Sequence, residues 1–285
     1  MQAFSRHVLM PSLLLLLVLA TGCAGKASQA YRDAAAGLAA NAHMTPVTFE
    51  AGTLRLAGYL RCDPSAGKTL TVYIEGDGHA FARRDAPSAD PTPADPLGLI
   101  LATRDPHRDV LYLARPGQYL PPGELAACNP LWWTLARYSP EVIAATNRAL
   151  DQAKARCRAD TLRLVGYSGG GALAVLVAAG RDDVVSLTTL AANLDTDAWT
   201  ALHGVTPLVL SRNPADVAAD VARIPQTHYV GTRDTVTPPS LCRRFLARMP
   251  AHAPARCVVL PDVGHHAGLA DAWTRIVKEE EADGR

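Results

Sequence analysis

The chain has 285 residues, of which 48% are hydrophobic and 19% charged, and its formal net charge is +1. This length and composition are typical of a globular protein that buries one substantial core, as one large domain or two small ones. The net charge is close to zero and basic residues are not interleaved with aromatic ones, so the sequence lacks the usual features of a nucleic-acid-binding protein. It also gives no electrostatic reason to expect an acidic partner.

The N-terminus has the pattern of a secretory signal. Arg6 and His7 precede a leucine-rich run over 13–20, and small residues follow. The apolar run is too short for a comfortable membrane span. The segment Ala20–Cys23 resembles the lipobox of bacterial lipoproteins.

That resemblance implies a signal peptide over 1–22 and a lipidated Cys23 that anchors the protein to a membrane. Because Ala24 follows the cysteine, the outer membrane is implied where the cell has one, with the domain facing the periplasm or the cell surface. The alternative is plain secretion with an incidental cysteine. Residues 23–45 are alanine-rich and polar, and they are interpreted as a tether or a short helix.

Export would place the domain in an oxidising compartment, where disulfides form. Besides Cys23 the chain has five cysteines, so at least one stays unpaired. Cys242 and Cys257 bracket a helix-to-strand connection and are the first candidate pair, and Cys62 with Cys128 is the second. The cysteine and histidine spacing does not match a zinc site, so no metal is expected.

The first half of the folded region begins with two alternating runs over 47–60, which predict a hairpin. A buried strand followed by a glycine-containing loop is predicted within 70–78, and another buried strand over 109–117, with a helix over 95–105 between them. The stretch 86–96 is rich in proline and aspartate and predicts a loop. Another excursion, near 115–138, contains prolines and paired tryptophans and is interpreted as a lid over the surface.

The second half alternates strands with helices. Ser139 followed by proline and glutamate begins a helix that is predicted to end near 158. Further strands are predicted over 161–167, 184–192, 206–211, 227–234 and 256–261, and further helices over 170–179, 239–249 and 270–281. Continuous apolar strands that alternate with helices predict a doubly wound, mostly parallel α/β sheet, here one domain over 46–285.

A glycine-flanked serine lies between a predicted strand and a predicted helix. In Gly166-Tyr167-Ser168-Gly169-Gly170 the glycines permit a sharp turn that would expose the Ser168 hydroxyl at the carboxyl edge of the sheet. The chain contains neither glycine-rich phosphate-binding motif, which makes a phosphate loop the weaker interpretation. Ser168 is therefore the candidate nucleophile.

A serine hydroxyl needs a base, and the base needs an acid that orients it. His265 and His266 follow the predicted strand 256–261 and are both candidate bases. Asp234 directly follows another strand and is the favoured acid, ahead of Asp195 and Asp262. Strand ends of a parallel sheet meet at one edge, which would bring these groups to Ser168.

These three segments resemble the α/β-hydrolase superfamily over nearly all of residues 47–285, including its chain order of serine, acid and histidine. The resemblance favours His265 over His266. It implies an oxyanion hole made by the backbone amides of Gly169 and of Asp77, with Gly78 as the reserve for the second donor. Tyr167 and His79 are the candidate substrate-binding residues, and the alternative for His79 is that it only caps the loop.

The loop that would supply the second donor has an unusual sequence for this superfamily. Many members have His-Gly where this chain has Glu75-Gly76. Glu75 and Asp77 could serve loop hydrogen bonding or recognise a cationic substrate group.

The function implied is a serine hydrolase that cleaves carboxyl esters through an acyl-enzyme, without a cofactor. Its partners would be a small-molecule or lipid-like acyl substrate and, through Cys23, a membrane. Peptidase, thioesterase, lipase or acyltransferase activity would use the same triad. A catalytically silent binding lipoprotein with this fold is the alternative outside enzymes.

Overall fold

A computed structural model of the protein describes residues 28–63, 65 and 68–282. Within this part the strands are, in chain order, β1 (Thr45–Ala51), β2 (Leu54–Arg61), β3 (Thr69–Ile74), β4 (Phe81–Arg83), β5 (Ala86–Pro87), β6 (Val110–Leu113), β7 (Thr161–Tyr167), β8 (Val184–Leu190), β9 (Gln226–Gly231) and β10 (Ala255–Leu260). The α-helices are α1 (28–41), α2 (Leu97–Thr103), α3 (Pro122–Leu125), α4 (Pro140–Cys157), α5 (Gly169–Ala178), α6 (Thr196–His203), α7 (Pro239–Leu246) and α8 (Leu269–Ala282). Two short 3₁₀ helices are Pro130–Trp133 and Pro214–Val217.

Eight of the strands form one central sheet in the order β1-β2-β6-β3-β7-β8-β9-β10. The predicted hairpin of β1 and β2 pairs antiparallel, and β2 meets β6 antiparallel. Every other neighbouring pair in this sheet is parallel, from β6 and β3 through to β9 and β10. The prediction of a doubly wound, mostly parallel α/β fold is confirmed.

Helices cover both faces of the sheet, which is why its strands are apolar runs rather than alternating ones. One core contains side chains of α4, α5 and α7 packed on the sheet. The opposite core contains side chains of α1, α2 and α8. Helix α5 is buried along its whole length, so the turn that precedes it is fixed by packing on both sides.

Part of the segment interpreted as a tether or a short helix forms helix α1, and this helix packs against the domain. Helix α1 places Ala35 and Ala39 in the core that contains α2 and α8, and both are fully buried. Small alanine side chains allow this close packing, and the composition of the segment did not reveal it. The signal segment 1–22 and the lipidation site Cys23 lie outside the described residues.

The strand predicted over 206–211 is wrong. This segment forms turns, and Val209 is 77% exposed. Strand β8 already pairs directly with β9, so the sheet has no place for another strand between them. The loop predicted over 86–96 contains the two residues of β5, which pair with β4 in a separate two-stranded ribbon.

The excursion interpreted as a lid packs against the domain. Trp133 joins Ala80, Leu120 and Leu125 in a small buried cluster, and its indole N–H donates to the Ser88 carbonyl. These contacts bury the excursion's aromatic surface against the loops beside the sheet. Among the helices in the described part of the chain, none is both long and apolar enough to cross a membrane.

Two disulfides link the layers. Cys242 pairs with Cys257, as predicted, and joins α7 to β10. The predicted pairing of Cys62 with Cys128 is wrong: Cys62 pairs with Cys157 at the end of α4, and Cys128 is free. Spacing in the sequence cannot identify such a partner, because helix α4 meets the end of β2 only after the chain has folded back over the sheet.

Replacement of Cys62 by alanine is expected to lower the free energy of unfolding by about 4 kcal/mol. The lost crosslink closes a loop of 95 residues, and a long loop restricts the unfolded chain strongly. Denaturant unfolding monitored by circular dichroism measures the change. Cys128→Ala, which breaks no disulfide, is the matched control, and equal stability of the two variants would contradict the prediction.

Candidate active site

Ser168 lies in a sharp turn between β7 and α5. Its φ of 51° and ψ of −120° are rare for a residue with a side chain. The turn closes because its neighbours lack side chains. A Cβ on Gly166 would clash with Gly171, and one on Gly170 would clash with the carbonyls of Ile74 and Glu75. The strained backbone therefore presents the hydroxyl at the N-terminus of a buried helix.

The three predicted catalytic side chains come together at the carboxyl edge of the sheet. His265 Nε2 lies 3.0 Å from Ser168 Oγ, and His265 Nδ1 lies 3.0 Å from Asp234 Oδ2. The backbone amides of Val236 and Thr237 donate to Asp234 Oδ1 at 2.9 and 2.8 Å. These bonds hold the carboxylate in line with the imidazole.

The charge on Asp234 is stabilised by its neighbours. Burial alone would raise the pKa of Asp234, but hydrogen bonding and charge from His265, with further bonds from Thr237, lower it below its usual value. An ionised Asp234 accepts a hydrogen bond from His265 Nδ1–H, which leaves the Nε2 lone pair free to accept from the Ser168 hydroxyl.

The competing residues have other partners. His266 Nε2 lies 2.7 Å from Asp95 Oδ2, and its Nδ1 lies 3.3 Å from the Tyr167 hydroxyl. Asp195 caps α6 by accepting from the Ala198 amide. Asp262 is exposed and pairs with Arg233. The geometry therefore singles out His265 and Asp234 from the alternatives that the sequence left open.

Two of the predicted oxyanion-hole residues, Asp77 and Gly78, line the same pocket as Ser168, and the third, Gly169, directly follows Ser168 in the chain. Gly169 is the first residue of α5, and Asp77 and Gly78 lie in the loop after β3. The amides of all three have no hydrogen-bond acceptor among the residues that the structure describes. Free amides at a helix N-terminus and in an adjacent loop are suited to a developing negative charge.

A buried ionic cluster holds this loop in place. The Asp77 carboxylate lies so close to Gly169 that a Cβ there would clash with it. Arg115 and Arg137 donate to its two oxygens at 3.1 and 2.6 Å, and the Tyr138 hydroxyl lies 3.3 Å from Oδ2. Burial alone would raise the pKa of Asp77, but Arg137 and Arg115 lower it below its usual value. The side chain anchors the loop whose amide is the predicted donor.

Asp77→Asn is expected to lower the free energy of unfolding by about 3 kcal/mol, because it leaves two buried guanidinium groups without a compensating charge. Urea unfolding measures the change. Asp95→Asn is the matched control, since its side chain is 61% exposed and, among the described residues, forms an ion pair with His266 alone, and it should change stability by no more than about 0.5 kcal/mol. Equal effects of the two changes would argue against the structural role of Asp77.

Glu75, the first residue after β3, also holds the loop in place through hydrogen bonds. It is 1% exposed and accepts from the amides of Gly76 and Gly98 and from the Tyr112 hydroxyl. Burial raises the pKa of Glu75. Because Glu75 and Asp77 both use their oxygens within the protein, loop hydrogen bonding accounts for them, and neither is left to bind a cationic substrate group.

The triad opens into a pocket of about 470 Å³. The predicted substrate-binding residues Tyr167 and His79 both line it, with the Tyr167 ring centroid 5.6 Å from that of His265. Pro93, Ala94 and Asp95 form the opposite wall. In the described part of the chain no cluster of three or more potential ligands could hold a metal ion.

Sequence reasoning missed the residues that support the site. Arg115 and Arg137 each lie in an irregular segment, and no motif connects either of them to the loop after β3. The wall containing Asp95 was interpreted only as part of a loop. The Asp77 carboxylate was the one feature of the sequence that could have indicated them, because a carboxylate beside the end of a buried strand needs charged or hydrogen-bonding partners. The sequence does not reveal which residues these partners are.

Comparison with solved structures shows many similar folds at low sequence identity. Est1E from Butyrivibrio proteoclasticus superposes with a TM-score of 0.59 at 15% identity, covering 84% of this chain and 98% of its own. XC6422 from Xanthomonas campestris, described as an a/b serine hydrolase without a lid, gives 0.55 at 12%, covering 84% and 94%. A bacterial membrane phospholipase A gives 0.53 at 18%, covering 96% and 97%.

No protein-family profile and no curated protein sequence matches the chain. The structural similarity establishes that the chain has the α/β-hydrolase fold, as the resemblance implied.

Proposed function

From the α/β-hydrolase fold and the geometry around Ser168, we propose that this protein is a serine hydrolase that cleaves carboxyl esters. The observation that supports this most directly is the unbroken hydrogen-bonded chain from Ser168 Oγ through His265 to Asp234. A nucleophile, a base and an orienting acid that are hydrogen-bonded in this order have the arrangement of a catalytic triad for acyl transfer. The free backbone amides of Gly169 and Asp77 would stabilise the negative charge of the tetrahedral intermediate.

The first half-reaction acylates Ser168. As Ser168 Oγ bonds to the ester carbonyl carbon, its proton passes to His265 Nε2, and Asp234 stabilises the resulting imidazolium. The amides of Gly169 and Asp77 donate to the tetrahedral oxyanion. When the C–O bond to the alcohol breaks, His265 returns the proton to the departing oxygen.

The second half-reaction releases the acid. Water takes the place of the alcohol and loses a proton to His265 Nε2 as its oxygen attacks the acyl carbon. The second tetrahedral intermediate collapses, the bond to Ser168 Oγ breaks, and His265 reprotonates the serine. The protein's own groups account for every proton, so the proposed mechanism needs no cofactor.

The pocket favours short and polar acyl groups. Its walls carry Asp95, His79 and His266 besides Pro93 and Ala94, and contain no large aliphatic side chain. A long hydrocarbon chain would displace water from these polar groups without replacing their hydrogen bonds. We therefore propose esters of small carboxylic acids as substrates, ahead of long-chain lipids.

Hydrolysis of p-nitrophenyl esters of graded acyl length tests the proposal, alongside labelling by a fluorophosphonate probe. We expect turnover that is highest for acetate and butyrate esters and falls for longer chains. Aminoacyl amides and thioesters measure peptidase and thioesterase activity, and added alcohol diverts product to a new ester if the protein is an acyltransferase. A folded sample that neither labels nor turns over any of these would favour the catalytically silent binding protein.

We further propose that the protein is exported and anchored through a lipidated Cys23. The leucine-rich segment before Cys23 and the two disulfides in the domain support this proposal. Cys23→Ser is expected to move the protein from the membrane to the soluble fraction, because lipid chains supply the anchor. Fractionation with an esterase assay measures this, and unchanged membrane retention with retained activity would contradict lipidation.

A further inference from the structure

A second, larger cavity lies at the amino-terminal edge of the sheet. Its volume is about 710 Å³, and residues at the beginnings of β3, β7, β8, β9 and β10 line it beneath Trp273 and Val277 of α8. Strand β7 runs from this cavity, at Arg163, to the turn at Ser168. At about 3.3 Å per residue the two are roughly 16 Å apart, so the cavity is separate from the proposed active site.

Three polar side chains form a row across the floor of this cavity. The strand register places Thr71 of β3 opposite Arg163 of β7, and Arg163 opposite Ser186 of β8. Neighbouring strands are about 4.8 Å apart, so two hydroxyl groups flank the base of the Arg163 side chain. Such a row is unexpected here, because the next residue of β7 on the same face, Val165, packs in the core that contains α8.

The hydrogen-bonding capacity of this row is largely unused. Thr71 is only 2% exposed, yet its hydroxyl has no hydrogen-bond partner. Among the described residues the hydroxyls of Ser186 and of Thr188, farther along β8, also have none. A buried hydroxyl without a partner costs stability, and because Thr71 lines the cavity, a molecule bound there would be positioned to supply that partner.

Arg163 has no compensating carboxylate. Its Nη1 lies 2.8 Å from His107 Nε2, and His107 Nδ1 lies 2.7 Å from Asp105 Oδ1. The other oxygen of Asp105 accepts from the Tyr73 hydroxyl. His107 therefore accepts from Arg163 as a neutral ring and orients it. No carboxylate in the described part of the chain forms an ion pair with Arg163.

Arg256, which also lines the cavity, provides a second positive charge. It donates to Thr227 Oγ1 at 3.2 Å and likewise lacks an ion-pair partner among the described residues. The carboxylate of Asp105 faces the cavity, but His107 and Tyr73 already satisfy it. The cavity thus carries a net positive charge and several hydrogen-bond donors that have no protein acceptor.

We propose that this cavity is a binding site for a small organic anion. Its carboxylate or phosphate oxygens would accept from the Arg163 guanidinium and from the hydroxyls of Thr71 and Ser186, because a guanidinium fork with adjacent hydroxyls matches the geometry of an oxyanion. The apolar part of the ligand would lie against Trp273 and Val277. The proposal does not depend on the hydrolase function, since it uses none of the catalytic residues.

Isothermal titration of the intact chain with phenyl phosphate and with benzoate tests the site and distinguishes the two anions. Inorganic phosphate measures the head group alone, and benzyl alcohol is the neutral control. We expect at least one of the aromatic anions to bind once per chain with a millimolar or tighter Kd, and benzyl alcohol not to bind. His265→Ala should bind equally well, because the anion does not occupy the active site.

Arg163→Gln is expected to weaken binding at least about tenfold, through loss of the charged hydrogen bonds. Arg223→Gln is the matched control, because Arg223 is a half-exposed arginine paired with Asp182 outside the cavity. No saturable binding of either aromatic anion at millimolar concentration would overturn the proposal. So would equal affinity of wild type and Arg163→Gln.

Thr71→Val provides a second, independent test, since valine has the shape of threonine without the hydroxyl. If the Thr71 hydroxyl binds the anion, the variant should have a higher Tm than wild type when both are measured without the anion. It should also have a lower affinity for the anion. If the hydroxyl has a purely structural role, Tm should fall and affinity stay the same, which would overturn the proposal. The Tm readout also applies if Arg163→Gln fails to fold.

Discussion

Ser168→Ala is expected to lower kcat/KM for the best ester substrate by about 10⁵-fold and to abolish fluorophosphonate labelling. The alanine removes the hydroxyl that forms the acyl-enzyme in the proposed mechanism, and this hydroxyl lies 3.0 Å from His265 Nε2. The fold should be unaffected, because the backbone at residue 168 carries the turn and the side chain caps nothing. Burst kinetics and labelling with mass spectrometry measure the loss.

The matched control for this change is Ser65→Ala, a serine in an exposed loop outside the pocket. It should retain wild-type turnover and labelling. Labelling that persists in Ser168→Ala, in a sample with wild-type circular dichroism, would show that another residue is the nucleophile. A loss of labelling in both variants would point to misfolding instead, and the thermal transition would reveal it.

His265→Ala is expected to reduce kcat by about 10⁴-fold or more, whereas His266→Ala should remain within about tenfold of wild type. Of the two histidines, only His265 is hydrogen-bonded to both Ser168 and Asp234. His266 bridges Asp95 and Tyr167 at the pocket wall, so its loss should alter KM more than kcat. Steady-state kinetics on the same ester separate the two constants.

His266→Ala is a closely matched control for His265→Ala, because the two substitutions remove the same atoms from adjacent positions of one loop. A severe loss of kcat in His266→Ala with near-normal His265→Ala would overturn the assignment of the base. If both variants lost kcat equally, the loop after β10 would act as a unit, and the proposed division between base and wall residue would be wrong.

The candidate triad could be predicted because each of its residues lies within a few residues of the end of a strand that is evident in the sequence. Ser168, Asp234 and His265 follow β7, β9 and β10, and the ends of parallel strands meet at one edge of the sheet. The glycines around Ser168 also signalled the turn, since only residues without a Cβ fit the close approach of α5 to the loop after β3.

Residues in irregular segments could not be predicted in the same way. The partners of Asp77 are Arg115 and Arg137, which lie in loops far apart in the chain, and the partner of Cys62 is Cys157 at the end of a helix. No periodicity connects such positions, because their separation depends on how long connections pack. The strand wrongly predicted over 206–211 shows the converse, as a suitable apolar run formed no strand where the sheet offered no partner.

The sequence by itself determined the α/β architecture and the chain order of the candidate nucleophile, acid and base, because local hydrophobic patterns and glycine-permitted turns specify strands, helices and the sharp bend at Ser168. Only the tertiary structure decided that His265 rather than His266 reaches Ser168, that two arginines neutralise Asp77, and that Thr71 and Arg163 meet in a second cavity. These outcomes depend on distances between segments remote in the chain, and such distances are set by packing of the whole domain.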